Sequence, residues 1–185
     1  MKRIISYVLV IICIIYNTTN LVIEKNKEVE TKNKVEYTLE KEISYKEKKD
    51  TFDAVLVIPK INLKKGIYKI NDKRNNIEEN IMLHYSSTYP DTTNSNFILI
   101  AHSGSGNKAY FKDLNKLDTD SLIEIFFKHT KYIYKIDKYY KIEKNGKALI
   151  DRDKNKKTIT LITCDSKDKT KQLVYIGYLI DEIKY

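Results

Sequence analysis

A mainly β fold, an antiparallel barrel or a sandwich, is what this 185-residue sequence predicts. From Phe52 onward the chain is a series of short β-rich runs joined by irregular polar connections, and few stretches carry helical periodicity. The length suits one domain plus appendages, with a core large enough to stand without disulfides.

The N-terminal element comes first. Lys2 and Arg3 precede an apolar run from Ile4 to Tyr16 broken only by Ser6, and Leu21-Val22-Ile23 follow the polar Asn17-Thr18-Thr19-Asn20. A helix of roughly 20 residues crosses about 30 Å of hydrocarbon, so residues 4–23 just reach. A cleaved signal peptide is the alternative, with an apolar region of about 7–15 residues, but the small residues of an A-x-A site are missing. Residues 1–23 are therefore expected to be an uncleaved, single-pass membrane anchor. Lys2 and Arg3 stay cytoplasmic and the rest of the chain lies outside the cell membrane. Residues 24–50 carry eight lysines and eight acidic residues with isolated apolar positions, which predicts a charged extracytoplasmic spacer. Residues 51–185 form the folded domain.

Within that domain, Ala54–Ile58 reads as a strand stopped by Pro59, with Ile61–Leu63 and Gly66-Ile67 behind it. Ile77, Ile81 and Met82 give Asn76–Leu83 the spacing of a helical turn, and Pro90-Asp91 with Asn94-Ser95-Asn96 marks a loop. Phe97–Ala101 is a short continuous apolar run, as expected of a strand buried on both faces. Phe111–Leu117 reads as a brief helix, Leu122–Phe127 and Lys131–Ile136 as strands, and Asn145-Gly146 as a tight turn. Ile159–Thr163 and Leu173–Ile180 complete the set.

Charge narrows the function. Lys+Arg outnumber Asp+Glu by 34 to 25, a formal +9. The lysines are scattered, and the only arginines are Arg3, Arg74 and Arg152. A nucleic-acid reader needs a clustered basic face with arginines for bidentate contacts, so no nucleic-acid partner is expected. Attraction to an anionic wall or membrane surface is the economical use of this charge. No Gly-rich phosphate loop, no metal-ligand spacing and no G-x-S-x-G elbow occurs, so no cofactor or metal is expected.

The chemistry rests on few residues. Cys164 closes the run Thr160-Leu161-Ile162-Thr163 and is the only cysteine outside the N-terminal segment that holds Cys13. In an oxidising exterior a lone cysteine is either a nucleophile or an inert core filler. His102 follows the buried strand Phe97–Ala101 and precedes the flexible Ser103-Gly104-Ser105-Gly106, a position held by rigid scaffold yet exposed. If both strands end at one face, imidazole and thiol meet. A free thiol, with a pKa of about 8.5, is mostly protonated at neutral pH, and a neighbouring imidazolium favours the thiolate. His84 reads as a satisfied structural histidine, and His129 as part of a solvated turn.

The order Val57-Ile58-Pro59-Lys60-Ile61-Asn62-Leu63, then Ala101-His102-Ser103-Gly104 with Phe111, Leu114 and Leu117, then Thr160-Leu161-Ile162-Thr163-Cys164, resembles a sortase. The resemblance runs from about Phe52 to Ile180, and the segment Asn80–Asp91 fits it. It implies a closed β-barrel of about eight strands and a membrane-anchored cysteine transpeptidase of a Gram-positive type of bacterium. Such an enzyme cleaves a C-terminal signal similar to LPxTG on surface proteins, forming a thioester. An amine on a cell-wall precursor or pilin then resolves it. Carried over, Cys164 is the nucleophile and His102 the general acid/base. The family's third residue, an arginine on the strand after the cysteine, is absent. By register Gln172 takes that position as oxyanion or substrate contact, with Lys171 adjacent but directed to the opposite face. Arg152 is a remote substitute. A surface-anchored binding barrel without turnover, or a hydrolytic cysteine peptidase, are the alternatives. The linker lacks an aspartate-aromatic lid motif, and the chain stops at Tyr185 with no C-terminal membrane helix expected. Both resemble class B or class D members and protein anchoring rather than pilus assembly. No calcium site is expected of Asp137, Asp151 and Asp153.

Overall fold

The computed structural model describes residues 18–20, which are helical, and 52–185. The expected anchor and spacer therefore lie outside the described residues, apart from 18–20. Among the described residues no helix is long and apolar enough to cross a membrane. A division between Lys46 and Glu47 sets off the β-rich unit.

Eight strands form one sheet: β1 (Ala54–Ile58), β2 (Leu63–Ile67), β3 (Met82–Leu83), β4 (Asn96–Ile100), β5 (Leu122–Phe127), β6 (Thr130–Glu143), β7 (Thr158–Cys164) and β8 (Lys171–Lys184). Their order is β2-β1-β5-β6-β8-β7-β4-β3. The sheet curls round a core of Leu56, Phe97, Leu99, Phe111, Tyr134 and Leu161, among others, all essentially inaccessible to water. The barrel is nearly closed rather than closed, because the end strands β2 and β3 share no ladder. A side chain finishes the β3 edge instead. The Asn75 carboxamide donates to the Leu83 carbonyl at 2.9 Å and accepts from the Leu83 N–H at 2.7 Å, so one residue satisfies both groups as a neighbouring strand would.

Two further expectations are corrected. Asn76–Leu83 makes one turn, closed by the Asn80 N–H on the Asn76 carbonyl at 2.9 Å, but does not continue as a helix. Asn75, Asn76 and Asn80 bond to backbone groups of 70–83 and lead it into β3. Short amides that reach the main chain compete with the helical ladder, and here they win. Of the helix expected at Phe111–Leu117 only a 3-10 turn at Leu114–Lys116 forms, with Leu114 buried in the core. The other 3-10 turn, Pro59–Ile61, fills the link between β1 and β2, where the second run is β-structure from Leu63.

The antiparallel expectation fails at one place that matters. β4 and β7 run parallel, from Asn96 beside Thr158 to Ile100 beside Ile162. All other pairings are antiparallel. Parallel neighbours end at the same edge of a sheet, whereas antiparallel neighbours end at opposite edges. Strands β4, β7 and β8 are also apolar on both sides. Phe97, Leu99, Leu161 and Tyr175 face the barrel core, while Ile98, Ile162, Val174 and Ile176 face outward. Ile150, in the connection between β6 and β7, packs on that outer layer. The double-sided burial read for Phe97–Ala101 is met on both layers.

Candidate active site

Local chemistry delivers the two chemical residues to one edge. The β4–β7 register keeps a constant offset of 62 residues, and continuing it past Ile100–Ile162 puts His102 beside Cys164. Two bonds hold the strand ends together beyond the ladder. The Ala101 N–H donates to the Ile162 carbonyl at 3.2 Å, and the Thr163 hydroxyl donates to the Ala101 carbonyl at 2.7 Å. In-register residues on adjacent strands stand about 4.7–4.9 Å apart in the hydrogen-bonding direction, and alternation puts their side chains on the same face. His102 and Cys164 line one pocket of about 570 Å³. Cys164 is a free thiol, partly exposed, and the His102 side chain is 40% exposed, so both are open to a substrate.

The histidine is fixed from behind. Its carbonyl accepts the Phe111 N–H at 3.0 Å, and Phe111 is buried in the barrel core. On its open side His102 Nε2 lies 3.5 Å from the Glu78 carboxylate. Glu79 extends the same contact: its carboxylate meets Lys108 Nζ at 2.5 Å, and its carbonyl accepts the Tyr110 hydroxyl at 3.3 Å. The β2–β3 connection is thereby strapped to both ends of the Ser103–Gly106 loop. Glu78 carried no signal in the sequence, where its segment reads as a helical turn.

The residue after Cys164 is anchored as well. Asp165 is buried, its carboxylate 2.6 Å from Lys141 Nζ and accepting the Lys167 N–H at 2.9 Å. The Lys141 ammonium beside it, reinforced by that backbone N–H, holds the Asp165 carboxyl below the usual carboxylate range. Asp165 also donates its N–H to the Lys171 carbonyl at 3.0 Å, closing the β7–β8 turn directly after Cys164.

Gln172 is the antiparallel register partner of Cys164, so His102, Cys164 and Gln172 form a row across β4, β7 and β8. Gln172 lines a second cavity, a groove of about 460 Å³. The groove has an apolar floor of Ile98, Ile100 and Ile162. Its walls come from 84–86 and from 146–150, with Tyr85 and Leu149 strongly exposed on the two sides. Cys164 lines the pocket and its register partner Gln172 lines the groove, so the row borders two spaces. His84 belongs to the groove wall, its Nδ1 accepting the Ser86 N–H at 3.2 Å, and burial pushes the imidazole below its ordinary pKa.

Lys171 is not brought to this row. Its ammonium is bonded to Glu143, its register partner on β6, and it lines neither cavity. That hydrogen bond to Glu143 raises its pKa. Arg152 reaches Thr158 Oγ1 at 3.5 Å, and Arg74 is engaged with Asp72 at 2.8 Å. Among the described residues, then, no arginine lines either cavity. His129 sits with Lys128 in the two-residue turn between β5 and β6, both at positive φ. Among the described residues no group of three or more His, Cys, Asp or Glu converges as metal ligands would.

Known proteins share this fold. A sortase domain profile matches residues 56–180. Sortase A from Corynebacterium diphtheriae, as a lid mutant, is similar at 26% identity and a TM-score of 0.61, over 69% of each chain. Sortase C1 from Streptococcus agalactiae is similar at 25% identity and a TM-score of 0.61, over 69% of this chain and 67% of that one. Listeria monocytogenes sortase A shares the fold at 21% identity and a TM-score of 0.60, over 72% of this chain and 90% of that one. No match emerges among curated protein sequences.

Proposed function

The chain belongs to the sortase family of cysteine transpeptidases, and we propose that it joins surface proteins to an amine through a thioester on Cys164. The observation that carries this reading is the parallel β4–β7 register, which supports a meeting of imidazole and thiol at one sheet edge.

The steps follow from the groups present. A C-terminal signal of the LPxTG type lies in the Ile98–Ile100–Ile162 groove, extended against its apolar floor. The Cys164 thiolate adds to the scissile carbonyl carbon, and the tetrahedral oxyanion takes a hydrogen bond from a donor nearby. Gln172, across the ladder from Cys164, supplies an amide N–H for that purpose. The C–N bond breaks as His102 gives its proton to the departing amine, leaving a thioester. An incoming amine then loses a proton to His102, attacks the thioester carbon and expels the Cys164 thiolate. The electron pair of the new C–N bond comes from the amine, so no oxidant or further reactant is needed. Residues 4–23 anchor the enzyme, with the β-rich unit outside the membrane.

Product analysis tests this. The full chain in detergent, given a pool of peptides of the form LPxTG, should yield an amide-linked product only when an amine is added. Cleavage to a free carboxylate alone, whatever amine is present, would mean a hydrolytic peptidase. Binding without cleavage would mean a barrel that has lost turnover, the reading that Gln172 in place of a cation favours.

A further inference from the structure

The pocket on the His102 side of Cys164 has an uneven charge. Two carboxylates line it, and both are already paired with cations: Asp113 with Lys116 at 2.8 Å and Asp165 with Lys141 at 2.6 Å. Two ammonium groups line it too, Lys112 and Lys169. Among the described residues neither makes an ion pair, Lys112 adding only a through-space attraction to Asp113. Some lysines elsewhere on the fold do pair with carboxylates, as Lys60, Lys138 and Lys157 do at 2.6, 2.6 and 2.5 Å, while others such as Lys147 and Lys154 do not among the described residues. The lysines at this pocket are thus left uncompensated beside the nucleophile. Ser103, Ser105 and Ser166 add hydroxyls to the same lining, and Gly104 leaves it open.

Placement says which substrate meets this charge. The apolar-floored groove suits an extended signal peptide; Gln172 brings it up to the row, and neither Cys164 nor His102 lines it. The incoming amine must surrender a proton to His102, so it approaches from the pocket that the imidazole itself lines. Resting on the transpeptidase reading above, we propose that the acceptor amine carries an anionic group close to its nitrogen, and that Lys112 and Lys169 bind that group while the amine faces the thioester. Two positive charges in a partly enclosed pocket favour such an acceptor over a neutral amine of the same shape. A protein lysine with no neighbouring anion lacks this recognition.

The test separates the two half-reactions. The full chain in detergent is first loaded with the LPxTG peptide pool, and thioester formation is read by intact mass. Failure to load overturns the transpeptidase reading, and this inference with it. The loaded enzyme is then resolved by matched acceptors: glycine against glycinamide, and phosphoethanolamine against ethanolamine. At least one anionic acceptor should exceed its neutral partner by about 10-fold in kcat/KM at low salt, the order expected of two solvent-screened charge pairs. The two pairs tell a carboxylate from a phosphate. The preference should shrink as salt rises and vanish in the double variant K112Q/K169Q. In K112E/K169E it should invert, and loading of each variant reports that it has folded. Equal use of anionic and neutral acceptors after successful loading overturns the inference, and so does a preference that survives both double variants.

Discussion

His102 and Cys164, 62 residues apart, fall in one cross-strand row when the parallel β4–β7 register is continued two residues past Ile100 and Ile162. A slip of one residue in that register would turn every side chain of one strand to the opposite face and separate the pair. The Thr163 hydroxyl, bonded to the Ala101 carbonyl at 2.7 Å, is the last tie before the site. Thr163→Val should lower stability by about 1 kcal/mol, the usual net worth of one such bond plus an unpaired carbonyl, measured by urea unfolding. It should also lower kcat for thioester formation more than it changes KM. A kcat equal to that of the parent would show that the tie does not position the pair.

Glu78 faces His102 Nε2 at 3.5 Å but is 78% exposed, so its attraction for the imidazolium is screened. Glu78→Gln should lower the rate of thioester formation by about 2- to 5-fold at low salt, with the difference disappearing at high salt. Glu79→Gln, which loosens the strap without touching the imidazole, should not reproduce that salt dependence.

Gln172 is the register partner of Cys164, and the oxyanion donor proposed for the reaction comes from there. Loss of one such donor typically costs about 10²–10³ in rate. Gln172→Arg should therefore raise the rate of thioester formation by at least about 10-fold in a single-turnover assay. An unchanged rate would count against an oxyanion role at this position.

Acid should unfold the domain partly through Asp165. Its folded carboxyl is depressed by the Lys141 ammonium, so the stability it contributes is present above the ordinary carboxylate value of about 3.9 and is lost as pH falls through the lower folded value. His84 acts in a separate window. Burial depresses it, so the folded state loses stability as pH falls below about 6.5, where the unfolded chain takes up the proton first. His84→Gln should flatten the stability profile below about pH 6.5, and Asp165→Asn should flatten it near the acid limit. Chemical denaturation at stepped pH reads both.

Much of this was legible in the residues. Phe97–Ala101 announced a strand buried on both faces, and Cys164 and His102 each stood where an apolar run breaks off. What the pattern does not encode is which strands become neighbours, so the parallel β4–β7 pair was hidden although both strands were not. The asparagines of 75–80 misled because Ile77 and Ile81 are spaced as on a helix while the amides bond to the main chain. Glu78 and Lys141 were invisible for a different reason. Their partners, His102 and Asp165, are 24 residues away along the chain in both cases and meet them only through the fold. Lysines at 112 and 169 look like any others until the ion pairs of their neighbours are known.

The most direct test is the mass of the enzyme itself. Full-length protein incubated with the LPxTG peptide pool should gain the mass of the N-terminal peptide fragment. Hydroxylamine should remove that adduct, and Cys164→Ala should never acquire it. An adduct on the Cys164→Ala protein, or peptide cleavage by the parent chain with no thioester at any time, would contradict the account.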